Sequence, residues 1–289
     1  MTRIGVTMGD REGIGPEVTT KALQSLRGRC QFVIYGPPDL YGEFVGAEFV
    51  PPTGSNPALA AIEASARDLR SGTIDGVVTA PVNKSVFQGR HPGHTEFFAE
   101  YLEADDVAMM MFGERLKTVP VTTHMALRDV PGALSVDLYV RQGTILHEAL
   151  KHDFGLLQPS IAIAGLNPHA GDGGLFGDEE ETILKPAIRA MRAQGLNVSE
   201  PISPDTVFHH AAHGRYDAVL CAYHDQALIP FKLLHFSDGV NVTLGLGVPR
   251  TSPDHGPALD IAGQGLADPS SMTEAVKLAI ALAEKRACK

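Results

Sequence analysis

This sequence predicts an α/β fold with a mainly parallel sheet, and three observations predict it. Short β-rich runs alternate along the chain with segments of helical spacing. The last of those segments carries a clear apolar stripe, Met272, Ala275, Val276, Leu278 and Ile280. No 20–50-residue repeat and no low-complexity segment interrupts the alternation.

Taken in order, the expected strands are Ile4–Met8, Phe32–Tyr35, Gly76–Thr79, Val107–Phe112, the run Thr118–Thr123, Ser160–Leu166, Ala218–Ala222 and Val240–Leu244. The expected helices are Pro16–Leu26, Pro57–Leu69, Val136–Lys151, Glu179–Ala193 and Ser270–Glu284. Pro16 falls in a first turn, where its missing N–H costs little. The Pro/Gly-rich stretch Val50–Pro57 reads as a loop, and Gln88–Gly93 as a crossing between two lobes. The domain organisation that follows is residues 1–88 plus 263–289 in a first lobe and 89–262 in a second.

Composition narrows the function. The 289 residues are 44% hydrophobic and 20% charged, as in a globular protein. A net charge of −10 argues against a nucleic-acid surface, but a basic pocket for a small anion remains compatible with it. The three cysteines, Cys30, Cys221 and Cys288, form no disulfide framework and no CxxC metal motif. The chain has neither a signal-peptide pattern nor an apolar stretch of membrane-spanning length, so a cytoplasmic location is expected.

Of twelve histidines, three stand apart by context. His124 ends a strand-like run in TTHMAL, His169 follows a strand in LNPHAGDGG, and His224 follows another in AYHDQ. Ligands of open α/β sheets bind outside the carboxyl ends of the strands. Three imidazoles delivered there suit a divalent metal with open positions; three separate loop histidines remain the other reading. Gly171, Gly173, Gly174 and Gly177 precede a helix opening with Asp178, Glu179 and Glu180. They let backbone approach a ligand or simply form a tight turn. In MGDREGIGPEV, glycines at 9, 13 and 15 lack the GxGxxG spacing of a dinucleotide fingerprint. Lys232, Asn241 and Arg250 suit a carboxylate or phosphate, with surface ion pairs as the plainer reading of the two cations. His94 and Thr95, in GHTEFF, add donors at a helix start.

Together GDREGIGPE, TAPVNK, GHTEFF, TTHMALRDV, LNPHAGDGGLFGDEE, SPDTVF, YDAVLCAYHDQALIPFK and GVNVTLGLGVPRTSPDHGPALDIAGQG resemble the 4-hydroxythreonine-4-phosphate dehydrogenase family of vitamin B6 synthesis. GIGPEV and HGPALDIAGQGLADP are similar, further off, to the isocitrate and isopropylmalate dehydrogenases. The resemblance implies their two-lobed α/β/α fold, with the active-site cleft between lobes, and a homodimer whose metal site is shared between subunits. It implies NAD or NADP as cofactor and one divalent metal per site, zinc first and magnesium, manganese or cobalt after it. It assigns metal binding to His124, His169 and His224, and substrate binding to His94, Thr95, Lys232, Asn241 and Arg250. Asp205 and Lys232 carry the catalytic roles, and His255, Gly256 and Asp268 hold the cofactor. The implied reaction oxidises 4-phosphooxy-L-threonine to a β-keto acid that loses carbon dioxide. Relatives acting on a sugar-acid 4-phosphate or a cis-dihydrodiol dicarboxylate are the alternatives within the family. A non-catalytic metal- or anion-binding protein is the alternative outside it. The chain departs from the family at Arg11 and Glu12, where Pro and Ala are usual, and in a shortened stretch between Tyr41 and Ser71.

Overall fold

The computed structural model describes all residues except 42–46, 88, 288 and 289. Its strands are β1 (Arg3–Thr7), β2 (Gln31–Tyr35), β3 (Ala47–Val50), β4 (Gly76–Thr79), β5 (Ala108–Phe112), β6 (Lys117–Pro120), β7 (Ser160–Ala164), β8 (Asn197–Ile202), β9 (Ala218–Cys221), β10 (Val240–Leu244) and β11 (Arg250–Pro253). The helices are α1 (Gly15–Ser25), α2 (Pro57–Arg70), α3 (His94–Tyr101), α4 (Val130–Ala133), α5 (Val136–His152), α6 (Lys185–Ala193), α7 (Val207–Ala212), α8 (His224–Leu234) and α9 (Ser270–Ala287).

The chain divides into two compact units, residues 1–105 with 237–289, and residues 106–236. This moves both boundaries from those the sequence suggests, 88/89 and 262/263. For residues 237–262 the reason lies in strand pairing. β11 runs parallel to β4, and β10 is antiparallel to β11, so both strands belong to the first unit.

In the first unit the strand order is β3-β2-β1-β4-β11-β10. β1, β2 and β4 are almost entirely buried, which is why they read as apolar runs. β11 does not read so, because Arg250, Thr251 and Ser252 are polar, yet all four of its residues are buried. Hydrogen bonding makes that burial tolerable. Thr251 Oγ1 donates to the Ala275 carbonyl at 2.8 Å, and Arg250 reaches two threonine hydroxyls. α9 packs Met272, Ala275, Val276, Ala279, Ile280 and Ala283 inward at helical spacing. Helix α2 is capped by Asn56, whose side chain accepts the Leu59 N–H at 3.2 Å.

In the second unit the order is β5-β6-β9-β7-β8. β6, β9, β7 and β8 run parallel, and β5 is antiparallel to β6. Val207, Val219, Cys221, Ala227 and Phe231 form part of its core. β8 is the edge strand and tolerates Pro201 there. The single helix expected over Glu179–Ala193 is a π-helical turn, Glu180–Leu184, followed by α6. Cys30 and Cys221 are free and buried, and Cys288 lies outside the described residues. The shortened stretch after Tyr41 includes residues 42–46, also outside them; Gln88, in the expected crossing, is outside them too. No helix among the described residues is long and apolar enough to cross a membrane.

Candidate active site

The second unit brings the carboxyl ends of β6, β9 and β7 side by side, and each is followed by one of the singled-out histidines. Past β6 the chain stays laced to the chain past β9. Val121 N–H donates to the Cys221 carbonyl at 2.8 Å, and Thr122 Oγ1 to the Ala222 carbonyl at 2.8 Å. This lacing sets His124 beside His224, with ring centroids 5.5 Å apart. Buried Gln226 fastens the neighbouring strand ends. Its Oε1 accepts the Ala222 N–H and its Nε2 donates to the Gly165 carbonyl, both at 2.7 Å.

The spacing of the His124 and His224 rings is compatible with two imidazoles sharing a divalent metal. With a metal–nitrogen distance of about 2.1 Å and tetrahedral angles, two ligating imidazole centroids stand roughly 5 Å apart. His224 is also oriented for that role. It is the first residue of α8, and its Nδ1 meets Asp225 Oδ1 at 2.6 Å, leaving Nε2 for a ligand. His169 does not complete the set within one chain. Among the described residues, no three His, Cys, Asp or Glu side chains are grouped so as to hold a metal. The exposed His169 lies in a turn, with its ring 6.2 Å from that of Phe176. From His169 to Gly173 every φ is positive, at 54°, 55°, 81°, 43° and 68°, a conformation that non-glycine residues rarely adopt.

Asp205 follows β8 in the turn before α7, exposed, and its Oδ1 accepts from Ser203 Oγ at 2.6 Å. Lys232 is half-buried in the third turn of α8.

The first unit assembles the polar cluster. Arg250 is 3% exposed. Its guanidinium donates to Thr243 Oγ1 at 3.1 Å and to Thr79 Oγ1 at 2.5 Å. Thr243 in turn meets Thr95 Oγ1 at 3.4 Å, and Asn241 lies two residues before Thr243 on the same side of β10. Three buried atoms here have no hydrogen-bond partner: His94 Nε2, Asn241 Oδ1 and Arg250 Nε. Burial lowers the Arg250 pKa to about 10, although the nearby Glu96 carboxylate raises it. Burial, with the Arg250 charge adding to it, holds the His94 pKa well below the ordinary histidine value. His94 is therefore a neutral imidazole at neutral pH. It is packed edge-on against buried Phe87 with ring centroids 5.3 Å apart.

The same unit carries the C-terminal loop. Lys21 donates to Glu17 at 2.7 Å and to the carbonyls of Gly265 and Ala267 at 3.0 and 2.9 Å. Glu17 accepts the Ala267 N–H at 3.0 Å. Gly13 fits closely at Pro257, where a Cβ would stand 2.8 Å from the Pro257 carbonyl oxygen. The GIGPE segment is thus the seat of the 257–267 loop. Just before that loop His255 Nδ1 contacts the Gly256 carbonyl oxygen at 3.1 Å, and its buried Nε2 has no hydrogen-bond partner among the described residues, which suits a ligand. Asp268 receives the N–H and hydroxyl of Ser270 at 2.9 and 2.6 Å, so it also anchors the start of α9. Those hydrogen bonds, the hydroxyl's first, lower its pKa.

Sequence reasoning missed Asp225 and Gln226. Both stand beside His224 in HDQ, but their partners come from the tertiary hydrogen bonds just described. It also missed Thr79 and Thr243, two threonines without a distinguishing motif, whose role comes from Arg250.

Comparisons with known proteins agree on the family. Residues 46–279 match the family model described as pyridoxal phosphate biosynthetic protein PdxA. A 4-hydroxythreonine-4-phosphate dehydrogenase from Desulfosudis oleivorans is 43% identical over 322 aligned positions, covering 96% of this chain and 95% of that protein. The crystal structure of the enzyme of that name from Klebsiella pneumoniae superposes with a TM-score of 0.87 at 36% identity, covering 98% of this chain and 100% of the other. Isocitrate dehydrogenase from Methylococcus capsulatus shares the fold, with a TM-score of 0.55 at 14% identity over 99% of this chain and 87% of that one. With its β-strand ends, buried arginine cluster and C-terminal loop in these places, the chain belongs to the PdxA family, whose curated relatives are 4-hydroxythreonine-4-phosphate dehydrogenases.

Proposed function

We propose that this chain is a metal-requiring, NAD(P)-dependent dehydrogenase. It oxidises 4-phosphooxy-L-threonine to a β-keto acid, which loses carbon dioxide to give 3-amino-2-oxopropyl phosphate. The observation that carries the reading is the trio of unpartnered buried atoms around Arg250. Leaving such atoms dry and unpaired costs about 1–3 kcal/mol each, a cost that a bound ligand removes. Arg250 Nε is a donor, and neutral His94 presents a second one in the tautomer that protonates Nε2. Asn241 Oδ1 accepts. Two donors and an acceptor beside a buried guanidinium suit a phosphate ester that also bears an ammonium or hydroxyl group.

Thr95 adds a hydroxyl to this binding set, and Lys232 supplies a further cation toward the anionic substrate. His124, His169 and His224 are the metal-holding residues of this reading, and Asp205 takes the hydroxyl proton. These imidazoles would hold a divalent metal, with zinc favoured by nitrogen donors, and the metal would supply Lewis acidity for alcohol oxidation. A bound nicotinamide would supply the hydride acceptor. The His255–Gly256 and Asp268 segment, with exposed Leu259 and Leu266, offers apolar surface and a polar atom for that cofactor.

In this reading the protein is a homodimer whose metal site is shared between subunits. The second unit has the surface for it. Ile229, Leu233 and Phe236 are 62%, 81% and 81% exposed along and just after α8, and Leu127 and Leu175 are exposed in the histidine-bearing loops. We place the enzyme in the cytoplasm.

The test is reduced-cofactor formation at 340 nm with 4-phosphooxy-L-threonine, with and without a chelator. Turnover that the chelator abolishes and zinc or cobalt restores supports the reading. A protein that binds cofactor and metal but turns over only a non-phosphorylated cyclic diol overturns the substrate assignment.

A further inference from the structure

Glu180 is 2% exposed, and among the described residues it has no cation as an ion-pair partner. Its Oε1 accepts the backbone N–H of Asn167 at 2.8 Å, and its Oε2 accepts Asn167 Nδ2 at 2.9 Å. Glu179 Oε2 accepts from the same Nδ2 at 2.7 Å. Two carboxylates therefore converge on one neutral amide, beneath the turn that carries His169.

The turn is shaped around that carboxylate. A Cβ on Gly171 would lie 2.8 Å from Glu180 Oε2, and one on Gly165 would lie 3.3 Å from Oε1 and 2.9 Å from Ala170 Cα. A Cβ on Gly177 would lie 2.6 Å from Asn167 Nδ2. Glu180 crowds Gly171, Asn167 and Glu179 crowd Gly177, and Ala170 of the turn itself crowds Gly165, with Glu180 next to it. Above it, His169, Ala170 and Asp172 are non-glycine residues at positive φ. Left-handed backbone persists in such residues only where the surroundings over-determine it. Glu180 also opens the π-helical turn, a single-turn irregularity often found at functional sites.

We propose that Glu180, acting through Asn167, is a positioning residue for His169. Its buried carboxylate holds the 169–173 turn left-handed and so fixes where the imidazole is presented at the end of β7. The carboxylate itself touches neither metal nor substrate. The inference rests on the reading of His169 as a metal-holding residue.

The experiment uses the full chain with Co²⁺ as probe, and pairs a cobalt titration followed by visible absorption with amide hydrogen exchange of the metal-free protein. For Glu180→Ala, exchange across 168–174 accelerates by about tenfold or more while exchange across 218–234 is unchanged. Cobalt affinity falls by about 10- to 100-fold, the range seen when groups supporting a metal ligand are removed. His169→Ala loses affinity at least as far, and Glu180→Ala adds nothing to it in the double mutant. Ala170→Gly, which relieves one left-handed residue, restores part of the loss in the Glu180→Ala background. Asn167→Ala is the second variant, with the same expectations, should Glu180→Ala not fold. Unchanged exchange across 168–174 overturns the proposal, as do losses that multiply in the double mutant. Normal cobalt binding by His169→Ala, with accelerated exchange in Glu180→Ala, overturns the metal reading of His169 and leaves the clamp on the turn supported.

Discussion

Replacing Arg250 by Met separates what this side chain does for the ligand from what it does for the fold. Arg250 is 3% exposed, so solvent screening offers its charge little relief. In the free protein its hydrogen-bond partners are two neutral hydroxyls, Thr79 and Thr243, and burial lowers its pKa to about 10. Exchanging a buried charged group for an apolar side chain of similar volume is often neutral or stabilising by about 1–4 kcal/mol. Against that, the two hydroxyls lose their donor, at about 1 kcal/mol each. The balance for stability lies within about 2 kcal/mol of zero, which for a chain of this size moves the Tm by less than about 8 °C. The ligand side is different. Removing one member of a buried, hydrogen-bonded charge pair costs about 2–5 kcal/mol of affinity. At about 1.4 kcal/mol per tenfold, that is a loss of about 30-fold to a few thousand-fold. Arg250→Met should therefore fold with a near-normal Tm, by differential scanning fluorimetry, and show a KM for the phosphorylated substrate raised by at least about 30-fold. An unchanged KM would refute the anion assignment. A collapse of Tm would show that Arg250 serves the fold, with its hydroxyl bonds worth more than its burial costs.

Three further outcomes follow from the same geometry. The folded-state pKa of His94 is depressed below its unfolded value by burial, then by Arg250, so the unfolded chain binds the extra proton first. Stability should therefore be full above pH of about 6.5 and decline as the pH falls below it. His94→Gln should flatten that slope in chemical denaturation between pH 5 and 7, and an equal slope in both proteins would argue against it. Asp225→Asn keeps the shape beside His224 Nδ1 but weakens its orientation. Cobalt affinity should drop by about 10- to 100-fold, and an unchanged titration would show that Asp225 is only a surface partner. On the proposed homodimer, Leu233→Asp, at an 81% exposed position on α8, should shift sedimentation velocity from dimer to monomer with the helix content intact. A wild-type profile would place the contact between copies elsewhere.

What the sequence made legible, and what it did not, follows from where each residue finds its partners. β1, β2, β4 and β9 are buried strands with apolar side chains, so they show as β-rich runs. β11 is equally buried but polar. Its burial rests on hydrogen bonds to residues as distant as Thr79, which hydropathy does not register. β8 hides its strand character behind Glu200 and Pro201, both tolerable on a sheet edge. The lobe boundary shifts for a related reason. β10 and β11 lie far from β4 in sequence but return to its sheet, and only the pairing reveals it.

The site divides the same way. His124, His169 and His224 stand out in the sequence because each follows a strand, and in the structure each does follow the carboxyl end of a parallel strand, with His124 and His224 side by side. What holds each histidine in place cannot be found so. The orientation of His224 depends on Asp225, and the neighbouring strand ends depend on Gln226 reaching Gly165. The glycines after His169 look from the sequence like freedom for a ligand to approach. In the structure they divide: Gly171 and Gly177 are crowded against Glu180 and Asn167, while a Cβ on Gly173 or Gly174 would meet nothing within 4 Å. A glycine-rich loop thus carries two opposite messages, open backbone or a packed one with no room for Cβ. Only the identity of the neighbour decides between them. At Gly171 that neighbour is a buried carboxylate and at Gly173 and Gly174 there is none, so one loop holds both cases.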